Sequence, residues 1–126
     1  MDFSKATAIT PLAVSNLDAA TVWYRDTLGA TPAQTSPDGV QFQCGSGTSF
    51  FLYESQFAGT NQATGLMLQV ADFDEAFADL QSNGVQFENY DFGEIRTVDG
   101  VVTAPDGSRS AWFKDPDGNI LAIGNR

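Results

Sequence analysis

Residues 8–14 form a short, mostly apolar run that reads as a strand, and beyond the corner Ser15-Asn16 the apolar spacing becomes that of a helix. Leu17, Ala20, Val22, Trp23, Tyr24 and Leu28 fall on one broad face of a helix predicted over 17–28. Asn16 is placed to cap it, and Gly29 stands where a left-handed closing residue is wanted. Strands are predicted near 30–35, 40–44 and 48–54. Ser55 to Thr64 then loses apolar periodicity and becomes rich in Gly, Asn, Gln and Thr, which predicts a crossing loop. Leu66-Met67-Leu68-Gln69-Val70 restarts the pattern as a strand. Asp72 takes the place of Asn16, and Phe73, Ala76, Phe77 and Leu80 form the apolar stripe of a second helix closed by Asn83-Gly84. Strands follow at about 85–90, 109–114 and 119–124.

The restart is a repeat at residue level: Val14-Ser15-Asn16-Leu17-Asp18-Ala19-Ala20 returns as Val70-Ala71-Asp72-Phe73-Asp74-Glu75-Ala76. Two copies of one strand-to-helix corner imply two copies of one β-α-β-β-β module, about 8–54 and 65–124 with a linker at 55–64, fused in one α+β domain. Each sheet buries one face under its helix and leaves the other free, so the pair forms a curved trough. Pro37-Asp38-Gly39, Pro105-Asp106-Gly107 and Pro116-Asp117-Gly118 read as turns between strands. Asp91 to Val102 has no counterpart in the first module and is read as an inserted loop with a short strand at 101–103, a place where ligand contacts gather.

Strand alternation sorts the side chains further. With Leu12 and Val14 packed under the helices, Ile9, Pro11 and Ala13 face the trough; with Leu66, Leu68 and Val70 inward, Met67 and Gln69 face it. Phe51 and Tyr53 share one side of their strand, and Phe113 as core leaves Ser110, Trp112 and Lys114 on the other face, near Ala122. The candidate ligand-binding residues are therefore Phe51, Tyr53, Met67, Gln69 and Trp112, joined from the inserted loop by Tyr90 and Arg96. Such a lining suits a planar, partly apolar molecule held by stacking and a few hydrogen bonds. Phe51 and Trp112 could equally bury a dimer contact, and Arg96 either pairs an anionic group or is a solvated surface residue.

Composition narrows the function classes. The 126 residues carry 16 acidic against 6 basic side chains, a net charge of −10 with no basic cluster, which excludes a nucleic-acid backbone as partner and modestly favours a cationic ligand. No apolar run reaches the length of a membrane helix, and Met1 to Ala6 lack the features of a signal peptide, so a cytoplasmic protein without membrane contact is expected. Cys44, the single cysteine, sits in an alternating run and reads as a strand residue, since a nucleophile needs a basic neighbour and the chain has no histidine.

The two corners, the segment Asn83-Gly84-Val85-Gln86-Phe87 and the ending Ala111-Trp112-Phe113-Lys114-Asp115-Pro116-Asp117-Gly118-Asn119 together resemble the vicinal oxygen chelate superfamily, the glyoxalase, bleomycin-resistance and dioxygenase group. The resemblance implies the paired-module trough and a homodimer. In metal-using members a histidine or glutamine precedes each corner and a glutamate lies near the end of each module. By position those places fall on Ile9, Gly65, Ala122 and Phe51 or Tyr53, none a strong ligand. Their neighbours Thr10, Glu54, Thr64 and Gln69 add one carboxylate and one amide, and Glu88, Asp91, Glu94 and Asp99 form no decisive acid and base pair. The expectation is a metal-independent small-molecule binding protein without cofactor. The alternatives are a lyase, isomerase or dioxygenase-type enzyme with atypical or no metal ligands, using Tyr53, Glu54 or Glu88 as acid or base, and a structural dimer with no ligand.

Overall fold

Asn16 and Asp72 turn the chain from strand into helix in the same way. Asn16 Oδ1 accepts a hydrogen bond from the Ala19 N–H at 2.9 Å, and Asp72 Oδ1 accepts one from the Glu75 N–H at 3.0 Å. In the computed structural model, which describes residues 1–126, these caps open α1 (Leu17–Leu28) and α2 (Phe73–Ser82). Gly29 closes α1 at a φ of 72°, and its N–H reaches back to the Arg25 carbonyl at 3.0 Å. Neither helix is long and apolar enough to cross a membrane.

The first module adds β1 (Thr10–Val14), β2 (Thr31–Ser36), β3 (Gly39–Gln43) and β4 (Ser49–Glu54), paired in the order β1-β4-β3-β2. The second contributes β5 (Thr64–Gln69), a two-residue ribbon of β6 (Asp91–Phe92) with β7 (Ile95–Arg96), then β8 (Val102–Thr103), β9 (Arg109–Lys114) and β10 (Ile120–Gly124). Its sheet runs β5-β10-β9-β8, the same order as the first. In each sheet the strand before the helix pairs parallel with the last strand of its module, and the other pairings are antiparallel. The repeated corner thus yields a repeated α+β topology of two four-stranded mixed sheets and two helices.

One segment departs from the sequence expectation. Residues 85–90 form no strand; their link to the sheet is a single hydrogen bond from the Glu88 N–H to the Trp112 carbonyl at 2.8 Å. The backbone beyond is claimed by the insertion instead. The Tyr90 N–H donates to Thr97 Oγ1 at 2.8 Å, and the Thr97 N–H donates back to the Tyr90 carbonyl at 2.9 Å. With the backbone of Tyr90 bonded there, the stretch forms no ladder with β9 beyond the Glu88 contact, and β8 occupies the outer position by pairing Val102 with Ser110. Two boundaries also move: β1 begins at Thr10, and Thr64, placed in the linker by composition, is the first residue of β5.

The predicted alternation holds in the sheets. Leu12, Val14, Phe42, Phe50 and Leu52 from one sheet and Phe113, Leu121 and Ile123 from the other are buried in a single cluster with Tyr24 and Phe73 of the helices. Tyr24 has no exposed surface, and its ring lies 5.5 Å from that of Phe50, which stacks on Phe42 at 4.9 Å.

The phenol of Tyr24 ends on the buried Asp115, donating to Oδ2 at 2.7 Å. Asp115 Oδ1 accepts the backbone N–H groups of Asp117 at 3.0 Å and Asn119 at 2.8 Å, while the Asn119 amide donates to Oδ2 at 2.8 Å. The same amide nitrogen donates to the Ala13 carbonyl in β1 at 2.7 Å, and Asn119 Oδ1 accepts the Gly59 N–H at 3.3 Å. Asp117 in turn accepts the Ser15 N–H at 3.0 Å. Burial, reinforced by the charge of Asp115, pushes the Tyr24 phenol far above its ordinary pKa, so it remains a proton donor.

Replacing Asp115 by Ala leaves a buried phenol and the Asn119 N–H groups without an acceptor. Urea unfolding of Asp115→Ala is expected to show a loss of about 3 kcal/mol, against about 1–2 kcal/mol for Tyr24→Phe, which leaves the carboxylate its other donors. Equal losses would mean that the backbone donors around Asp115 carry no weight.

Candidate ligand cleft on the second sheet

Alternation along β9 buries Ala111 and Phe113 completely and turns Trp112 to the opposite face. Its indole N–H donates to Thr64 Oγ1 at 3.2 Å, which ties the ring to the start of β5. Tyr90 meets Trp112 edge to face with ring centroids 5.7 Å apart, and Phe92 stacks on Tyr90 at 5.4 Å. These three rings form one wall of a cavity of about 680 Å³. Ile95 of β7, Ile120 of β10 and Lys114 of β9 line it as well, and the linker at 59–64 closes the opposite side with the amides of Asn61 and Gln62. The volume falls in the range of small-molecule sites, and the mix of aromatic wall, apolar residues and a few polar groups is the usual composition of one.

The aromatic wall depends on the insertion. Asn89 Oδ1 accepts the Gly100 N–H at 2.9 Å and the Thr97 hydroxyl at 3.1 Å, so one side chain fastens the base of the loop that carries Phe92 and Ile95. Phe92 is 68% exposed, a large apolar ring presented to solvent at the cavity edge. Burial, with a smaller contribution from the charge of Glu88, pushes the Tyr90 phenol above its ordinary pKa, so it stays protonated at neutral pH.

A second depression of about 360 Å³ adjoins the first and shares Asn61, Thr64 and Ile120 with it. Tyr53, Pro11, Ala13 and Phe57 line its far side, and Phe51 stacks behind Tyr53 at 6.4 Å. Of the residues selected from sequence, Tyr90 and Trp112 therefore meet in the main cavity, and Tyr53 lies in the adjoining one with Phe51 beside it. Met67 and Gln69 lie outside both; Gln69 Nε2 approaches the Met67 sulfur at 3.8 Å on an exposed stretch of β5. Arg96 also lies outside, with its side chain 73% exposed and paired with Asp91 at 3.5 Å across the ribbon.

Sequence reasoning passed over Phe92, Ile95, Ile120, Lys114 and the linker amides as site residues. The apolar pair Phe92 and Ile95, set among the charged residues Asp91, Glu94 and Arg96, is the signal that marks the ribbon, whereas nothing local in the linker marks Asn61 and Gln62.

The donors at hand do not fit a divalent metal. Ile9, Gly65, Ala122, Phe51 and Tyr53 occupy the positions where the resemblance would put ligands, and Glu54, their one acidic neighbour, accepts the Leu17 N–H at 3.0 Å at the start of α1. No three side chains among Asp, Glu and Cys converge anywhere. Acid and base candidates are separated likewise: Glu54 serves α1, Tyr53 lies in the adjoining depression, and Glu88 is 4.0 Å from Lys114 on the second sheet. Cys44 is half-buried at the end of β3, and burial pushes its thiol up, away from the reactive thiolate.

Replacing Asn89 by Ala is expected to free the base of the insertion while leaving the core intact. Hydrogen exchange should then accelerate across Phe92 to Thr97 by about tenfold, with the strands of both sheets unchanged. Unchanged protection in that stretch would show that the ribbon holds itself.

The sequence matches the family model described as the Glyoxalase/Bleomycin resistance protein/Dioxygenase superfamily over residues 6–123. No curated protein matches it. Among solved structures, a glyoxalase/bleomycin resistance protein from Catenulispora acidiphila DSM 44928 is similar at 25% identity and a TM-score of 0.73, covering 97% of this chain and 99% of its own. TnmS3, an antibiotic binding protein from Streptomyces sp. CB03234, is similar at 26% identity and a TM-score of 0.68, covering 96% and 95%. A lactoylglutathione lyase from Agrobacterium tumefaciens shares the fold at 24% identity and a TM-score of 0.71, covering 96% and 93%.

Proposed function

The chain belongs to the glyoxalase/bleomycin resistance protein/dioxygenase superfamily, and from that premise we propose that it is a metal-independent binding protein for a small, flat, partly apolar molecule. The observation that carries this reading is the wall of Tyr90, Phe92 and Trp112 beside an apolar floor, with no converging acid and base and no set of metal donors. Such a wall holds a planar molecule by stacking and dispersion. The likeness to TnmS3, whose name describes antibiotic binding, supports a binding role within a superfamily that also contains enzymes. The adjoining depression at Tyr53 supplies room for a substituent of the bound molecule. Two copies pairing over the exposed Ile9 and Met67 complete the reading as a homodimer.

The test uses a neutral naphthalene ketone, 2-acetonaphthone, titrated against tryptophan emission and by calorimetry. Binding is expected to quench the emission, and Trp112→Ala to weaken it by at least about tenfold through loss of one wall. Arg96→Ala and Met67→Ala should change it by less than about twofold, because both side chains lie outside the cleft. Native mass spectrometry with added zinc, manganese or ferrous iron should show no metal retained at one per chain. Stoichiometric metal retention, or a flat calorimetric titration, would sink the proposal.

A further inference from the structure

The cleft carries the opposite charge to the protein around it. Across a chain of 16 acidic and 6 basic residues, neither the main cavity nor the adjoining depression is lined by a single carboxylate. The one charged side chain among the residues lining them is Lys114. Alternation along β9 puts Lys114 on the same face as Trp112, two residues on, where its side chain borders both the cleft and the neighbouring depression that holds Glu88. That ammonium makes no hydrogen bond; its nearest charged partner is Glu88 Oε1 at 4.0 Å, at the limit of an ion pair, and its side chain is half exposed. Three N–H donors at the end of a stacking surface are thus left for a ligand.

Resting on the binding role proposed above, we infer that the cleft selects aromatic molecules that carry an anionic oxygen, a carboxylate or an acidic phenolate, directed at the Lys114 ammonium. Net charge alone favours a cation, but at physiological ionic strength a charge is screened over about 8 Å, so the contact charge outweighs the distant acidic surface. A carboxylate on a ring stacked against Trp112 replaces the loose contact to Glu88 with a close, charge-assisted one. Glu88 is then a competitor: it holds the ammonium near the wall when the cleft is empty and repels the incoming anion. A cationic aromatic of the same shape is repelled by the ammonium that lines the cleft, with Glu88 the one carboxylate near enough to offset it.

Three probes of one shape separate this inference from the binding role itself: neutral 2-acetonaphthone, anionic 2-naphthoate and cationic 2-naphthylmethylammonium. On the unmodified protein at physiological ionic strength, where the distant acidic surface is screened, 2-naphthoate is expected to bind about tenfold more tightly than the cation, with the neutral probe between them. Lys114→Met keeps the apolar stem against the cleft and should bring the anionic and cationic probes to within about twofold of each other. Glu88→Gln should strengthen 2-naphthoate by a few-fold. Binding of the neutral probe with no charge preference, or a preference that survives Lys114→Met, would overturn the inference and leave the binding role standing. Failure of all three probes would remove both.

Discussion

Everything in the arrangement depends on one buried carboxylate. Asp115 stands at the end of β9 with its two oxygens shared among Tyr24 of α1, the backbone of the turn at 116–119 and the side chain of Asn119. A charge removed from water is costly unless every lone pair is answered, and here four hydrogen bonds answer it. Asn119 extends the contact to Ala13 in β1 and to Gly59 in the linker, and Asp117 reaches Ser15 at the first corner. Helix, turn, edge strand and linker of two modules are thereby held at one point, in a geometry that only this polar set satisfies.

That constraint reaches the cleft through short connections. The strand that ends at Asp115 carries Trp112 and Lys114, and the linker that answers Asn119 at Gly59 runs along the far side of the cavity to Thr64, where it accepts the Trp112 indole. The distance between the aromatic wall and the linker is set by the same hydrogen bonds that join the modules. Only the ribbon of β6 and β7 is independent of them, since it is fastened locally through Asn89 and Thr97. Within the one aromatic wall, Trp112 is rigid with the core, while Phe92 rides on a separate attachment.

The duplication also explains why the two halves are not equivalent in use. In the first module β2 follows α1 directly and completes its sheet with an exposed, polar strand. In the second, the insertion interrupts the outer position after Glu88, adds aromatic side chains and leaves β8 to close the sheet. The asymmetry gives the second sheet the larger cavity, whereas the first contributes the smaller one at Tyr53.

How much of this was legible in the sequence follows from the range of the forces involved. Helix limits, caps and strand faces depend on neighbours a few residues away, so Asn16, Asp72, Gly29 and the alternation through Leu12, Val14 and Phe113 could be read directly. The repeat made the double α+β topology readable as well. The missing strand at 85–90 was not legible, because the backbone of Tyr90 bonds to Thr97 and the side chain of Asn89 to Gly100, partners that exist only once the insertion folds back. Alternation put Met67, Gln69, Phe51, Tyr53 and Trp112 on the open face, but which of them share a cavity depends on how two sheets and a linker approach one another. Lys114 was visible on the face of Trp112, yet that no carboxylate lines the cavity with it is a property of space. The chain by itself determined periodicity, capping and composition, since those are local; tertiary structure alone decided which rings meet, which charge is left free and where the linker closes the cleft, since these are contacts between residues far apart in sequence.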